Sequence, residues 1–480
     1  MTVTRFAPSP TGYMHIGNLR TALYAYLVAK HDNGTFILRI EDTDRERFVE
    51  GATDIIKDTL RITGLRYDEG PDVGGEHGPY VQSERKAIYM EYAKRLVDLG
   101  AAYYCFCSKE RLEKLHEEDA VGGYDRHCRN LSPGQVQKNL DAGLPFVIRQ
   151  KAPLTGVTTY TDSVFGEISM NNEELQDQIL IKADGYPTYN FCHVIDDYLM
   201  GVTHVVRGSE YLTSTPKYVL LYDAFGWERP TYVHLPLMMG KNEDGTVSKL
   251  SKRHGAVSFQ DLLSDGYLPE AILNYIALLG WCPKDSTREF FTLDELKEVF
   301  TIDGVSKSPA VFDYDKLLWF NGEYIHALSD ERFLAYADTF MKEAYPETLN
   351  KDKMLALLKT RIAKLSELDD RAAFFRELPA YDKELFLNKK NKITEYDTVR
   401  TVLTQARPIL SELTAFDNDT LFAALSPLGE ALGMKLGAIM WCLRIAVSGL
   451  SATPGGATEI MEVIGREQTL ARIDHALLLL

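Results

Sequence analysis

The chain has 480 residues, of which 45% are hydrophobic, 25% charged and 11% aromatic; this excludes a disordered or fibrous chain and leaves room for roughly two to four domains with cores of their own. Lys and Arg number 53 against 69 Asp and Glu, a formal charge of −16, so net charge cannot hold a nucleic acid, and any such partner has to be met by a local basic face. The run Val3 to Ala7 reads as a short strand, stopped by Pro8-Ser9-Pro10-Thr11-Gly12. After His15-Ile16-Gly17-Asn18, residues Leu19, Ala22, Leu23, Tyr26 and Leu27 fall at helical spacing, and Asp32-Asn33-Gly34 ends the helix. Phe36 to Ile40 is again strand-like, followed directly by Glu41-Asp42-Thr43-Asp44. Strand, helix, strand over this length predicts one right-handed crossover with adjacent parallel strands. The first loop and the acids then share the sheet edge at which open α/β sheets bind ligands.

Phe48 to Leu65 and Ser83 to Leu99 read as amphipathic helices around a Gly-, Pro- and acid-rich loop, Asp68 to Tyr80. From Ala101 short strand-like runs (Tyr103 to Cys107, Phe146 to Gln150, Val157 to Thr161, Ile179 to Lys182) accompany one clear helix, Pro133 to Ala142. Ser132 and Gln135 frame that helix as a capping box, with Gly143 beyond its end. A doubly wound pattern returns with a helix at Asn190 to Met200, a strand at Thr203 to Arg207, a helix at Pro216 to Phe225 and a strand at Thr231 to Leu235. The turn Asn242 to Gly245 and the basic string Lys249-Leu250-Ser251-Lys252-Arg253 follow, and from Ser258 the reading is almost entirely helical. The expected architecture is α/β: a Rossmann-like doubly wound parallel sheet (1–100 and 189–255) split by an α/β insertion (101–188), followed by an all-helical half (256–325 and 326–480).

Three groups carry chemistry. Glycine at position 17 lets backbone approach a ligand, and the helix N-terminus behind it is expected to offer free N–H groups to phosphate, with His15 as a further donor. Alone, this loop reads more readily as a helix cap with a solvent-facing histidine; the Pro-Ser-Pro-Thr-Gly loop before it and the basic loop downstream reverse that balance. The alternation in Lys249 to Arg253 lets Lys249 and Lys252 turn toward one pyrophosphate, although a short basic run is more often an exposed turn. Cys105-x-Cys107 with Cys128 suits either a tetrahedral zinc site or buried free thiols. Six cysteines in a long chain without a secretory segment read as reduced thiols or a metal site rather than a disulfide framework. The start of the chain lacks a signal-peptide core, and the apolar stretch Leu436 to Leu450, interrupted by Arg444, is too short to span a bilayer. A cytoplasmic protein without membrane contact is expected.

Arg5 to Gly12 and Leu38-Arg39-Ile40-Glu41-Asp42-Thr43-Asp44 resemble two specific strings of the bacterial glutamyl type of class I aminoacyl-tRNA synthetase, and Lys249 to Arg253 resembles the second class signature. The first signature here runs from Pro8 to Asn18 and ends in asparagine where the class has a second histidine, which removes one expected phosphate contact. The resemblance implies ATP-dependent ligation of L-glutamate to tRNA through a glutamyl-adenylate, with Mg²⁺ accompanying ATP. It assigns His15, Lys249 and Lys252 to catalysis, and Gly17, Asn18, Glu210 and Ser251 with them to ATP. Glutamate carries two carboxylates and one ammonium, which calls for two cationic forks and an anion; the resemblance supplies Arg5, Arg207 and Glu41, with Tyr189, Ala7 and Ser9 lining the pocket.

By the same resemblance residues 101–188 bind the tRNA acceptor end, 256–325 the stem and 326–480 the anticodon, with Arg361, in the helical run Leu355 to Leu368, as a base-reading candidate or simply a solvated face residue. Lys435 to Gly449 resembles the family's anticodon-binding end. Relatives with zinc complete Cys-x-Cys with Cys-x-His, but Asn130 stands at the histidine position here, leaving Tyr124 or His127 as the fourth ligand. A monomer is implied. Charging of glutamine tRNA as well as glutamate tRNA stays open, and the other readings are a nucleotidyltransferase, a catalytically silent tRNA-binding paralogue and a shorter relative that modifies a tRNA base. The nucleotidyltransferase would need neither two carboxylate-binding arginines nor a helical half, and the shorter relative lacks that half.

Overall fold

In the computed structural model, which describes residues 1–44, 47–118, 124–242, 244–251, 254, 255, 257–284, 286–341 and 344–480, β1 (Val3–Phe6), α1 (Ile16–His31) and β2 (Thr35–Leu38) form the expected crossover. The two strands run parallel, with Arg5 opposite Ile37. α1 is buried along most of its length, and its apolar residues fill the space behind the strands. The helices α2 (Ala52–Ile62) and α3 (Lys86–Asp98) are shorter than the periodicity suggests. Phe48 and Val49 are exposed, and a 3₁₀ turn, Gln82–Arg85, precedes α3.

Next come β3 (Ala102–Cys105), α4 (Lys109–Glu118), α5 (Pro133–Asp141), β4 (Val147–Gln150), β5 (Val157–Asp162), β6 (Gly166–Asn171) and β7 (Ile179–Ile181). The capping box of α5 is present: Ser132 Oγ accepts from Gln135 N–H at 3.3 Å and Gln135 Oε1 accepts from Ser132 N–H at 2.9 Å. The helix α4 and strand β6 escape the sequence reading, since α4 is strongly polar and β6 alternates only weakly. β3, β4 and β7 make a separate antiparallel sheet.

β5 and β6 belong elsewhere: with β8 (His204–Gly208) and β9 (Thr231–Leu235) they form a sheet of order β6-β5-β9-β8, following α6 (Tyr189–Leu199) and flanking α7 (Thr215–Phe225). Its β5–β9 and β8–β9 pairs are parallel. The Thr203 N–H donates to the Val3 carbonyl at 2.9 Å, which sets β1 beside β8. Five parallel strands therefore point their C-terminal ends at one edge, and β5 reaches it from inside the span read as insertion.

The basic string begins at Lys249, the last residue of a hairpin formed by β10 (Met238–Lys241) and β11 (Val247–Lys249), in which Asn242 N–H donates to the Thr246 carbonyl at 2.8 Å. A third strand, β12 (Ala310–Phe312), pairs parallel to β10 and interrupts a region the sequence assigns wholly to helix. It is three residues long, too short for a periodicity to register.

The chain divides into one unit of Met1–Leu262 and Ile272–Asp313 and a second of Leu263–Ala271 and Tyr314–Leu480. The second is helical. Leu355, Phe375, Val402, Leu425, Leu443 and Ile460 share its core. Arg472 is buried there and donates to the carbonyls of Phe374, Val447 and Phe375 at 2.9, 2.7 and 3.0 Å, tying three chain segments by hydrogen bonds to one cation. Among the described residues no helix is long and apolar enough to cross a membrane.

Candidate active site

A cavity of about 870 Å³ opens at the C-terminal edge of the parallel strands, and Arg5, Ala7, Ser9, Asn18, Glu41, Tyr189, Arg207 and Glu210 all line it. Eight residues singled out from sequence are thus brought together. Thr43, Asp44, Arg47, Lys182 and Tyr186 line it as well; the sequence reading assigned them no role.

Arg5 and Arg207 each lie one residue before the end of a strand, β1 and β8, and both are buried, yet their surroundings differ. Arg5 Nε donates to Asp197 Oδ1 at 2.9 Å, and the same oxygen accepts from Arg39 Nη1 at 2.8 Å. Arg39 Nη2 donates to Glu41 Oε1 at 3.0 Å. Asp196 accepts from Arg85 Nε at 2.7 Å, from Gln82 Nε2 at 2.8 Å and from the Tyr89 hydroxyl at 2.9 Å. Three arginines and three carboxylates therefore form one buried network in which each charge has a partner of opposite sign, the condition under which buried ions are tolerated. Within it the Asp197 carboxyl lies well below its usual range: burial opposes ionisation, but Arg5 and Arg39 outweigh it. Glu41 goes the other way. Burial pushes its carboxyl up to about 7 against the pull of Arg39 and Arg5.

Arg207 has no such partner: among the described residues no salt bridge includes it. Its Nε donates to His234 Nε2 at 3.1 Å, Nη2 to Thr215 Oγ1 at 2.6 Å, and Nη1 faces His193 Nε2 at 3.5 Å. The rings of Tyr218, Tyr211 and Tyr232 lie 4.9, 5.1 and 5.6 Å from the guanidinium carbon, a favourable setting for a desolvated cation. His193 is kept neutral, its pKa driven down to about 3 by burial and by Arg207. Tyr189 stacks on the His193 ring, centroids 4.7 Å apart, which anchors the aromatic wall of the cavity.

His15 caps α1: its Nδ1 accepts from Gly17 N–H at 3.0 Å. The remaining first-turn N–H groups are also engaged, Ile16 with the Val257 carbonyl and Asn18 and Leu19 with the His15 carbonyl. The expectation of free helix N–H groups for phosphate is therefore corrected; the histidine itself occupies the cap. With Nδ1 accepting, the neutral ring carries its proton on Nε2. Burial and the nearby Lys249 lower its pKa, favouring that neutral form.

The same loop is tied to the segment that follows the second signature string. Met14 N–H donates to Gln260 Oε1 at 3.1 Å and Phe259 N–H to the Met14 carbonyl at 2.9 Å. Ser251 N–H donates to His254 Nδ1 at 3.1 Å, and His254 Nε2 faces Asn242 Oδ1 at 2.9 Å. A Cβ on Gly240 would sit 2.6 Å from that imidazole, so the hairpin needs glycine there. Lys249 is exposed and Ser251 partly so; Lys252 and Arg253 lie outside the described residues.

The sulfur atoms of Cys105, Cys107 and Cys128 lie within 4.8 Å of one another. The Tyr124 hydroxyl is 3.2 Å from Cys105 Sγ and 3.8 Å from Cys107 Sγ, whereas His127 is exposed and outside the cluster. Three thiols and a phenol are a donor set that a tetrahedral zinc ion accepts. In the helical unit Arg361 does not sit on a helix as expected. The helix Lys351–Lys359 ends two residues earlier, and Arg361 lies in the following turn, exposed, with Nε 3.3 Å from the Pro454 carbonyl. It lines a cleft of about 640 Å³ with Arg371, Arg376, Asp370 and Phe374.

Residues 1–319 match the catalytic domain of class I tRNA synthetases (E and Q), and residues 330–477 match the anticodon binding domain. The chain belongs to the class I tRNA synthetases of that group. Among its relatives, the glutamate–tRNA ligase of Clostridium tetani is 54% identical over 474 residues, covering 98% of this chain and 96% of the relative. That of Clostridium kluyveri is 53% identical over 478 residues, covering 99% and 97%. The crystal structure of a glutamate tRNA ligase from Elizabethkingia meningosepticum, in complex with its amino acid, superposes with a TM-score of 0.90 at 35% identity, covering 99% of each chain.

Proposed function

We propose that this chain ligates L-glutamate to tRNA in an ATP-dependent reaction with a glutamyl-adenylate intermediate. The observation that carries the reading is the convergence of Arg5, Glu41 and Arg207 on one cavity at the strand ends, which Asn18 of the first signature also lines. Two buried cations and one anion match the two carboxylates and the ammonium of glutamate. Arg207, held without a counter-ion, suits a carboxylate most directly. Glu41, poised near 7, ionises readily when an ammonium arrives.

ATP lies with its phosphates toward His15, Asn18, Lys249 and Ser251, and Lys252 completes the cationic side of the site. Mg²⁺ bound to the phosphate oxygens supplies charge neutralisation there. The α-carboxylate of glutamate attacks the α-phosphorus and pyrophosphate leaves; a ribose hydroxyl of the terminal tRNA adenosine, the 2′ by class analogy, then takes the glutamyl group and AMP leaves. No protein nucleophile is required. The chain's residues orient the reactants, and the His15 Nε2–H and the lysine ammonium groups meet charge developing on phosphate.

Residues 101–188 take the acceptor end, 256–325 the stem and 326–480 the anticodon, with Arg361 and its cleft as the place where a base is read. Cys105, Cys107, Cys128 and Tyr124 hold a structural zinc ion, for which elemental analysis of purified protein should find about one zinc per chain and much less in Cys105→Ser. The working form is a cytoplasmic monomer. The deciding experiment is charging of purified glutamate tRNA and glutamine tRNA: glutamate should appear on the first, and its appearance on the second would define a non-discriminating enzyme. Pyrophosphate exchange with glutamate and tRNA present should be almost lost in Lys252→Ala; near-normal exchange would sink the assignment.

A further inference from the structure

Behind Arg207 lies a chain of buried polar groups that no step of the reaction uses. Asp162 ends β5, His234 sits on β9 and Arg207 on β8, with His234 opposite Arg207 in the parallel ladder. Both Asp162 and His234 are fully buried. Asp162 Oδ1 accepts from the N–H groups of Val164 and Phe165 at 2.9 and 2.8 Å. Asp162 Oδ2 accepts from the His234 backbone N–H at 3.1 Å and faces His234 Nδ1 at 2.6 Å. A carboxylate surrounded by donors is an acceptor, so Nδ1 carries the imidazole proton. In the neutral ring Nε2 then presents a lone pair, and Arg207 Nε–H points at it from 3.1 Å.

Thr215 repeats the pattern on the next nitrogen. Its hydroxyl donates to the Tyr211 carbonyl at 2.7 Å and accepts from Arg207 Nη2 at 2.6 Å. His193 does so on the third: its Nδ1 faces the Tyr189 carbonyl at 2.7 Å, leaving Nε2 toward Arg207. Three neutral acceptors thus orient the guanidinium, and none cancels its charge. A carboxylate in place of His234 would orient the fork as well, but it would also satisfy the cation and weaken its pull on a substrate anion.

We propose that Asp162 and His234 are positioning residues for amino-acid selection: Asp162 fixes the His234 tautomer, and His234 fixes the Arg207 fork for one carboxylate of the substrate. The inference rests on the reading of Arg207 as a glutamate contact and adds to it two residues that touch no substrate. Asp162→Asn is a sharp probe because its orientation is dictated. Two fixed donors, the Val164 and Phe165 N–H groups, stand against the single His234 backbone N–H on the other oxygen, so they hold the amide oxygen on their side and the amide nitrogen falls toward His234. The imidazole must then accept at Nδ1 and turn its proton toward Arg207, donor against donor, as when an aspartate-to-asparagine change imposes the wrong tautomer on a catalytic histidine.

The test is steady-state tRNA charging with glutamate and ATP varied in turn, with melting temperatures, for the wild type, Asp162→Asn, His234→Leu and His234→Gln. In Asp162→Asn and His234→Leu the glutamate KM should rise about tenfold or more, with the ATP KM within about twofold of wild type. His234→Gln, whose amide oxygen restores an acceptor near the Nε2 position, should recover most of the loss. Glutamate KM values unchanged in a charging-competent wild-type background would overturn the relay and leave the function standing. So would equal rises for glutamate and ATP, or a His234→Gln as impaired as His234→Leu; either would mark the pair as ordinary core. A wild type that fails to charge tRNA with glutamate overturns the function and the relay together.

Discussion

Arg5 and Arg207 occupy matching positions, each near the end of a parallel strand and each lining the same cavity, but the protein treats them differently. Arg5 shares Asp197 with Arg39 and belongs to a balanced network reaching Glu41, Asp196 and Arg85. Arg207 is held by His234, Thr215 and His193, with aromatic rings around it. A buried charge with a fixed partner holds structure together, and its attraction for a newcomer is already partly satisfied. A buried charge oriented by neutral groups keeps its attraction for an incoming anion. The two arginines that the sequence presents as equivalent forks thus differ in how much of their attraction is left for a substrate anion, Arg5 sharing its charge with Asp197 and Arg207 having no counter-ion among the described residues.

The largest effect is expected from breaking the first cluster. Asp197→Ala leaves Arg5 without a counter-ion and takes one of its partners from Arg39, and should cost about 3–5 kcal/mol of folding stability in denaturant titrations; a loss under 1 kcal/mol would mean that the network does not hold the sheet edge. Arg207→Met should lower kcat/KM for glutamate roughly 30-fold or more, the range for removing one partner of a buried charged contact. Its melting temperature should fall less than that of Asp197→Ala, because the cation it removes had no counter-ion to strand. If the order of the two melting temperatures is reversed, the contrast between the arginines is wrong.

Glu41 sharpens the comparison through pH. Its carboxyl sits at about 7 because burial outweighs Arg39 and Arg5, and only the ionised form pairs with the substrate ammonium. The glutamate KM should therefore fall as pH rises through about 7. For the ligand-free protein the sign is opposite. A carboxyl raised above its unfolded value contributes stability below the unfolded pKa, and this is lost as pH rises through the folded one. Glutamate should accordingly raise the melting temperature more at pH 8 than at pH 6. A glutamate KM flat across that interval would remove Glu41 from the ammonium site. The smallest effect belongs to a position outside both clusters: Ser132→Ala removes the cap of α5 and should cost about 1 kcal/mol of stability without altering the glutamate KM.

Arg5, Glu41 and Arg207 were legible in the sequence because each follows or ends a short apolar run, and parallel strands bring such positions to one edge. Their partners were not. Arg39, Arg85, Asp196 and Asp197 meet only after the chain has crossed the sheet, and nothing local marks a pair separated by more than a hundred residues. The one available signal was adjacent aspartates inside the otherwise apolar helix Tyr189–Leu199, a placement that demands buried cations. Asp162 was hidden differently: its strand lies within the span read as insertion and joins the catalytic sheet through pairing that periodicity cannot reveal. His15 was found, but its direction was not, since a histidine that caps its own helix through Nδ1 looks in sequence like one that leaves the helix N-terminus open.

The division of labour between the two arginines is tested most directly by the glutamate KM of Arg207→Lys in tRNA charging. Lysine keeps the positive charge but loses the planar fork that His234, Thr215 and His193 orient. The glutamate KM should rise about tenfold or more with the ATP KM unchanged; a glutamate KM equal to that of the wild type would contradict this contrast between the arginines.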